Sequence, residues 1–169
     1  MFNYHNLSYR MAKLKSKVRR KRSALGKHGK AITPEHVDTL LRLAEQYNTS
    51  YDFEASQWFW SKLHQNEIPS TIEEFENKYP QGSREFQLFE RFTSKFELAG
   101  LLIEYGFLAE DLYYNRYGGL QAEWERAKPI IYGIRKQWNE PRFRENFELL
   151  AKRGREWLDR HPPKVNVEE

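Results

Sequence analysis

The chain has 169 residues, 39% of them apolar, with 28 Lys or Arg, 24 Asp or Glu and a formal net charge of +4. That length suits one domain with its own core and is short for two, and the absence of cysteine excludes disulfides, thiolate zinc ligands and a cysteine nucleophile. No apolar run reaches the roughly 18 to 20 residues a spanning helix needs, and no secretory h-region follows the first basic residues, so a soluble, cytoplasmic protein is expected.

The charge is segregated. Residues 1–34 hold ten Lys or Arg and no acid, while the remainder holds 18 bases and 24 acids, so a +10 front opposes a −6 body. Most of those cations fall in "KLKSKVRRKRSALGKHGK" at 13–30, where Leu14, Val18 and Leu25 lie too far apart for an apolar stripe and Gly26 and Gly29 interrupt any helix. Residues 1–32 are therefore expected to form an extended, flexible basic arm in front of a helical domain at 33–161, with a loose tail at 162–169.

The pattern changes at Thr33. A cap, Pro34 at the first helical position and a stripe of Val37, Leu40, Leu41, Ala44 and Tyr47 predict a helix over 34–48. Phe53, Ser56, Phe59, Trp60 and Leu63 predict a second helix to about 65, and Ser70 with Glu73 reads as a capping box opening a short third one. From Ser83, Phe86, Phe89, Phe92, Phe96, Ala99 and Ile103 recur at steps of three and four, which marks the central core helix, ended by Gly106.

A short helix before "YGG" follows. Leu120, Trp124, Ala127, Ile131, Ile134 and Trp138 then predict a long helix bent at Pro129, and Pro141 is read as starting a last one, with Phe143, Phe147, Leu150, Gly154, Trp157 and Leu158 inward. With no clean alternation anywhere, the expected fold is all-α: an antiparallel bundle of four or five long helices plus short ones.

The stretch "FELAGLLIEYGFLAEDLYYNRYGG" with the later "NFELLAKRGREWL" resembles an uncharacterised all-helical family of prokaryotic proteins, a domain of unknown function, over roughly residues 86–158. That resemblance implies the helical fold and a prokaryotic source, and it transfers no catalytic residue.

For the arm, Lys13, Lys15, Lys17, Arg19, Arg20, Lys21, Arg22, Lys27 and Lys30 are the candidate nucleic-acid contacts, because each phosphate neutralised releases condensed counterions. Tyr4 and Tyr9, with His5, are candidate stacking residues on unpaired bases, which favours RNA over DNA, within a ribonucleoprotein such as the ribosome. A solubilising tail without a partner is the plain alternative. A membrane-surface anchor is disfavoured by the lack of bulky apolar residues, and a transit peptide by the lack of an amphipathic stripe.

Catalysis finds less support. The five histidines, at 5, 28, 36, 64 and 161, are scattered, no Glu-x-x-His occurs, and no phosphate loop or nucleophile elbow is present, so no metal, cofactor or catalytic residue is assigned. His36 reads as a surface or capping residue and His64 as a partner of a helix C-terminus. The pairs Glu73–Glu74 and Glu110–Asp111 read as helix-dipole acids. An enzyme would instead require a deep pocket with several convergent polar groups.

The rings pose a separate question. Trp58 and Trp60 cannot share one face with Phe59, and Tyr113, Tyr114 and Tyr117 crowd a short helix, so Trp58, Trp60, Tyr113 and Tyr114 are candidates for an exposed aromatic interface. A protein-interaction or dimerisation module is accordingly the rival to nucleic-acid binding.

Overall fold

The computed structural model describes residues 31–163, which form seven helices and no strand among the described residues. In chain order these are α1 (Pro34–Gln46), α2 (Ser50–His64), α3 (Ile72–Lys78), α4 (Arg84–Glu104), α5 (Glu110–Tyr117), α6 (Gln121–Gln137) and α7 (Glu145–Arg160). None is long and apolar enough to cross a membrane. The expectations for the segments 1–30 and 164–169 lie outside the described residues.

The central element is α4. Its Phe86, Phe89, Phe92, Phe96, Ala99 and Ile103 are all buried, as their spacing predicts, and the helix packs chiefly against α2 and α7. Phe59 of α2 stacks on Phe92 at 4.0 Å between centroids, Phe92 meets Phe96 edge-on at 5.1 Å, and Phe96 stacks on Phe147 of α7 at 4.7 Å. This run of rings joins three helices, each ring pair adding to the burial of large apolar area. The helix ends in a Schellman motif: Gly106 N–H reaches Ile103 O and Phe107 N–H reaches Leu102 O, with Gly106 at φ +75°, a conformation glycine adopts without steric cost.

The pairing order gives the helix directions. Trp124 meets Phe147 and Gln121 donates to Ala151 O, so α6 and α7 run antiparallel. By contrast Arg144 bonds Thr93 and Glu90, Glu97 bonds Phe147, and Arg153 pairs with Glu104, so α4 and α7 run side by side in the same direction. Their close approach centres on Gly100, where an added Cβ would collide with the Asn146 carbonyl.

Three local readings change. On α1 the buried residues are His36 and Leu43, while Val37 and Leu41 are exposed at 41% and 58%, so the inward face is rotated from the one the aliphatic residues suggest. His36 fills its first position by capping: Thr33 N–H donates to its Nδ1 at 3.2 Å and its Nε2 lies 3.2 Å from Gly106 O on the far end of α4.

On α2, Asp52, Ala55 and Phe59 are buried and Phe53 is 65% exposed. The inversion has an electrostatic reason, since Arg91 of α4 donates to both Asp52 oxygens, at 2.7 and 2.9 Å.

The third change is at α7, which starts at Glu145 and not at Pro141. Residues 141–144 form turns, Arg144 takes φ +58°, and the first turn of α7 is capped from outside: Phe147 N–H and Asn146 Nδ2 donate to the two Glu97 oxygens at 3.0 and 2.7 Å. A smaller shift occurs at α3, capped by Thr71, not Ser70, with Glu74 reaching back to Ser70 N–H. Trp138 and Leu158, expected inward, stand 43% and 41% exposed.

Candidate functional site

A cavity of about 520 Å³ opens between α1, α2, α4, α5 and the start of α6. Its aromatic walls are Tyr47, Trp60, Phe92, Phe96, Tyr113 and Tyr117, brought together because the inward stripe of α4 faces the ends of the shorter helices. Its polar groups include Lys95, Arg116 and Glu123.

Lys95 occupies the buried side of α4 beside Phe92 and Phe96, with its Nζ 4.2 and 4.9 Å from their ring centroids and donating to Ser56 Oγ at 3.0 Å. Burial pushes this amine down to about 8, against pulls in the other direction from Asp52 and Glu123. Glu123 stands in the first turn of α6, where burial raises its carboxyl above the usual range despite its own backbone N–H and the charge of Lys95. No side chain among the described residues hydrogen-bonds or ion-pairs with the Glu123 carboxylate, and the two charges face one cavity without closing on each other.

Around them, burial pushes the Tyr47 phenol up to about 12 and holds Tyr113 well above the ordinary tyrosine range. Tyr113 packs on Tyr117 at 5.0 Å, and the Arg116 guanidinium lies 5.9 Å from the Tyr117 ring at the mouth. Chemically the cavity offers partly exposed ring faces at Tyr47, Trp60 and Tyr117, hydrogen-bond acceptors at Glu123, and positive charge for an anion at Lys95 and Arg116. A second hollow of about 390 Å³ lies between α6 and α7 beside Trp124, and its Glu148 is already engaged by Arg135 and Tyr132.

The sequence-derived candidates divide. Lys13, Lys15, Lys17, Arg19, Arg20, Lys21, Arg22, Lys27, Lys30, Tyr4 and Tyr9 lie outside the described residues. Trp60 is 37% exposed and lines the cavity, and Trp58 is half-buried, edge-on to Tyr79, with its indole N–H buried and unpartnered among the described residues.

Tyr113 and Tyr114 are corrected: at 3% and 2% exposure they belong to the core, Tyr114 because its hydroxyl finds Leu150 O at 2.6 Å. Among the acid pairs, Asp111 also accepts from Trp157 Nε1 at 2.7 Å, tying α5 to α7. Lys95 and Glu123 were missed by sequence reasoning, although each stands beside an apolar stripe, Phe92–Phe96–Ala99 and Leu120–Trp124–Ala127 respectively.

The family model described as a domain of unknown function, DUF4760, matches residues 32–155, most of the chain. The chain belongs to that family. No curated protein and no solved structure matches it. The DUF4760 match reaches back beyond the expected start at 86 to take in α1, α2 and α3, so every wall of the cavity lies inside the family's own domain. The basic segment 1–31 precedes it.

Proposed function

We propose that the protein is a non-catalytic helical module that binds nucleic acid, RNA in preference to DNA, through the basic segment 1–32, as part of a ribonucleoprotein such as the ribosome. The observation that carries this reading is the charge segregation: ten bases and no acid in residues 1–34. So dense a run repels itself, and a phosphate polymer relieves that repulsion while releasing its own counterions.

The helical domain adds a second argument. Several of its carboxylates have cations of their own: Asp52 with Arg91, Glu54 with Arg84, Glu104 with Arg153 and Glu148 with Arg135. The front cations are thus not needed to neutralise those acids.

The test is a salt titration of RNA binding with the full chain and with a full-length variant carrying Gln at Lys13, Lys15, Lys17, Arg19, Arg20, Lys21 and Arg22. The native chain should lose affinity log-linearly with salt, and the variant should lose both the affinity and most of the slope. Equal binding by the two rejects the reading. The rival, a protein-interaction or dimerisation module, draws on exposed rings such as Phe53, Tyr105 and Phe107, at 65%, 71% and 63%. A concentration-dependent mass in light scattering, abolished by Tyr105→Ser with Phe107→Ser, would favour it.

A further inference from the structure

We infer that the cavity bounded by Lys95, Arg116 and Glu123 is a binding site for one guanine nucleotide, with the base against the partly exposed rings of Tyr47, Trp60 and Tyr117, its donor edge on Glu123 and its phosphate toward Lys95 and Arg116. The inference rests on the proposed affinity for RNA and names the chemical group that a specific site on the folded domain takes.

Four observations carry it. The volume, about 520 Å³, lies within the range of small-ligand sites and admits a nucleotide but not a folded nucleic acid. Three of its rings, Tyr47, Trp60 and Tyr117, are at least partly exposed, and such rings are the surfaces on which proteins stack unpaired bases. Lys95 and Arg116 supply positive charge, Lys95 with only the Ser56 hydroxyl as a hydrogen-bonded partner among the described residues. Glu123 supplies two acceptor oxygens that no side chain among the described residues fills.

The carboxylate selects the base. An ionised carboxylate only accepts hydrogen bonds. The Watson–Crick edge of guanine presents two adjacent donors, the N1–H and the N2 amino group, which match two oxygens side by side. Adenine and cytosine each offer an amino group next to an acceptor nitrogen. Uracil places its one N–H between two carbonyls, which the carboxylate repels. Leaving Glu123 unfilled against any of these costs the site a buried charge without a partner.

Calorimetric titration of the full chain with 5′-GMP, AMP, CMP and UMP tests the inference, with L-tryptophan as a ring-bearing zwitterion for comparison. The expected result is 5′-GMP binding about ten-fold tighter than the other nucleotides. Glu123→Gln should bring the four within about three-fold of one another, and Lys95→Met should weaken 5′-GMP about five-fold while leaving guanosine unchanged. Both variants are first checked for native circular dichroism.

Competition of 5′-GMP by a U-rich pentamer carrying one G, but not by oligo-U, would place the natural source in RNA, and competition by neither would place it in the free nucleotide. Equal binding of GMP and AMP by the native chain overturns the inference, as does tryptophan binding without GMP binding. Arm-dependent RNA binding with a steep salt slope would survive that outcome, so the two readings fail separately.

Discussion

Replacing either partner of the Asp52–Arg91 pair breaks the same bidentate ion pair, yet the structure predicts unequal costs. The Asp52 side chain is 3% exposed and the Arg91 side chain 30%, the latter lying across Tyr47 and Tyr51 at 5.7 and 6.0 Å. Arg91→Met strands a buried carboxylate whose remaining partner is the Thr49 hydroxyl, which should cost about 3 to 4 kcal/mol. Asp52→Asn leaves a guanidinium that turns toward water and keeps its rings, for about 1 to 2 kcal/mol.

Because one carboxylate causes most of the first penalty, the double variant should be more stable than Arg91→Met alone by about 1 kcal/mol. Urea midpoints at constant slope measure all three. Acid adds a second signature. Burial pushes the Asp52 carboxyl up, but the hydrogen bonds from Arg91 and Thr49 outweigh it and set it below the usual range. The stabilisation is therefore complete above about pH 3.9, the unfolded value, and is lost as pH falls through the lower folded value, so the native and Arg91→Met curves converge only in strong acid. Equal costs for the two single variants, or strict additivity in the double, would refute the reasoning.

Other perturbations follow from the same geometry. Glu97→Ala removes the cap of α7 and should cost about 2 kcal/mol, with Glu97→Gln near half that, read as thermal midpoints and as faster amide exchange at Phe147. Gly100→Ala forces α4 and α7 apart and should destabilise by about 1 to 3 kcal/mol in urea. Leu41→Gln, on the exposed side of α1, should stay within about 0.5 kcal/mol of native by the same measurement, whereas His36→Ala loses a cap and should cost about 1 kcal/mol. The Lys95 amine titrates near 8 in the fold and near 10.4 unfolded, so the unfolded chain holds the extra proton between those values and stability rises with pH from about 8 to 10. Chemical denaturation across that window should show a gain on the order of 3 kcal/mol, absent in Lys95→Met.

The helices were legible where apolar spacing alone determined burial. On α4 every ring of the stripe is inward, and Gly106 ends the helix as its position suggested. Reading failed where polar groups do the work of apolar ones. On α1 a histidine with two partners opens the buried face, so aliphatic residues drew the stripe about one position off. On α2 a carboxylate is buried and a phenylalanine is not, which depends on an arginine 39 residues away. The start of α7 depends likewise on Glu97, fifty positions before the amide it caps, and no local signal at Pro141 reveals it.

The site was hidden for a related reason. Lys95 and Glu123 look like solvated helix charges in isolation, but each lies within one turn of two apolar stripe residues, and Asp52 lies one and two turns before the buried Ala55 and Phe59. A charge on an inward stripe is therefore a legible signal, though its meaning is decided only by the partners the fold supplies. Asp52 receives a bidentate arginine and becomes a tie between helices. Lys95 receives a single hydroxyl, and Glu123 receives no side chain among the described residues. Desolvating those two groups costs free energy that their protein contacts do not return, and they face the same cavity. A ligand with complementary charge and donors is the partner that would offset that cost, which is why these charges, and not the better-satisfied Asp52, point to binding.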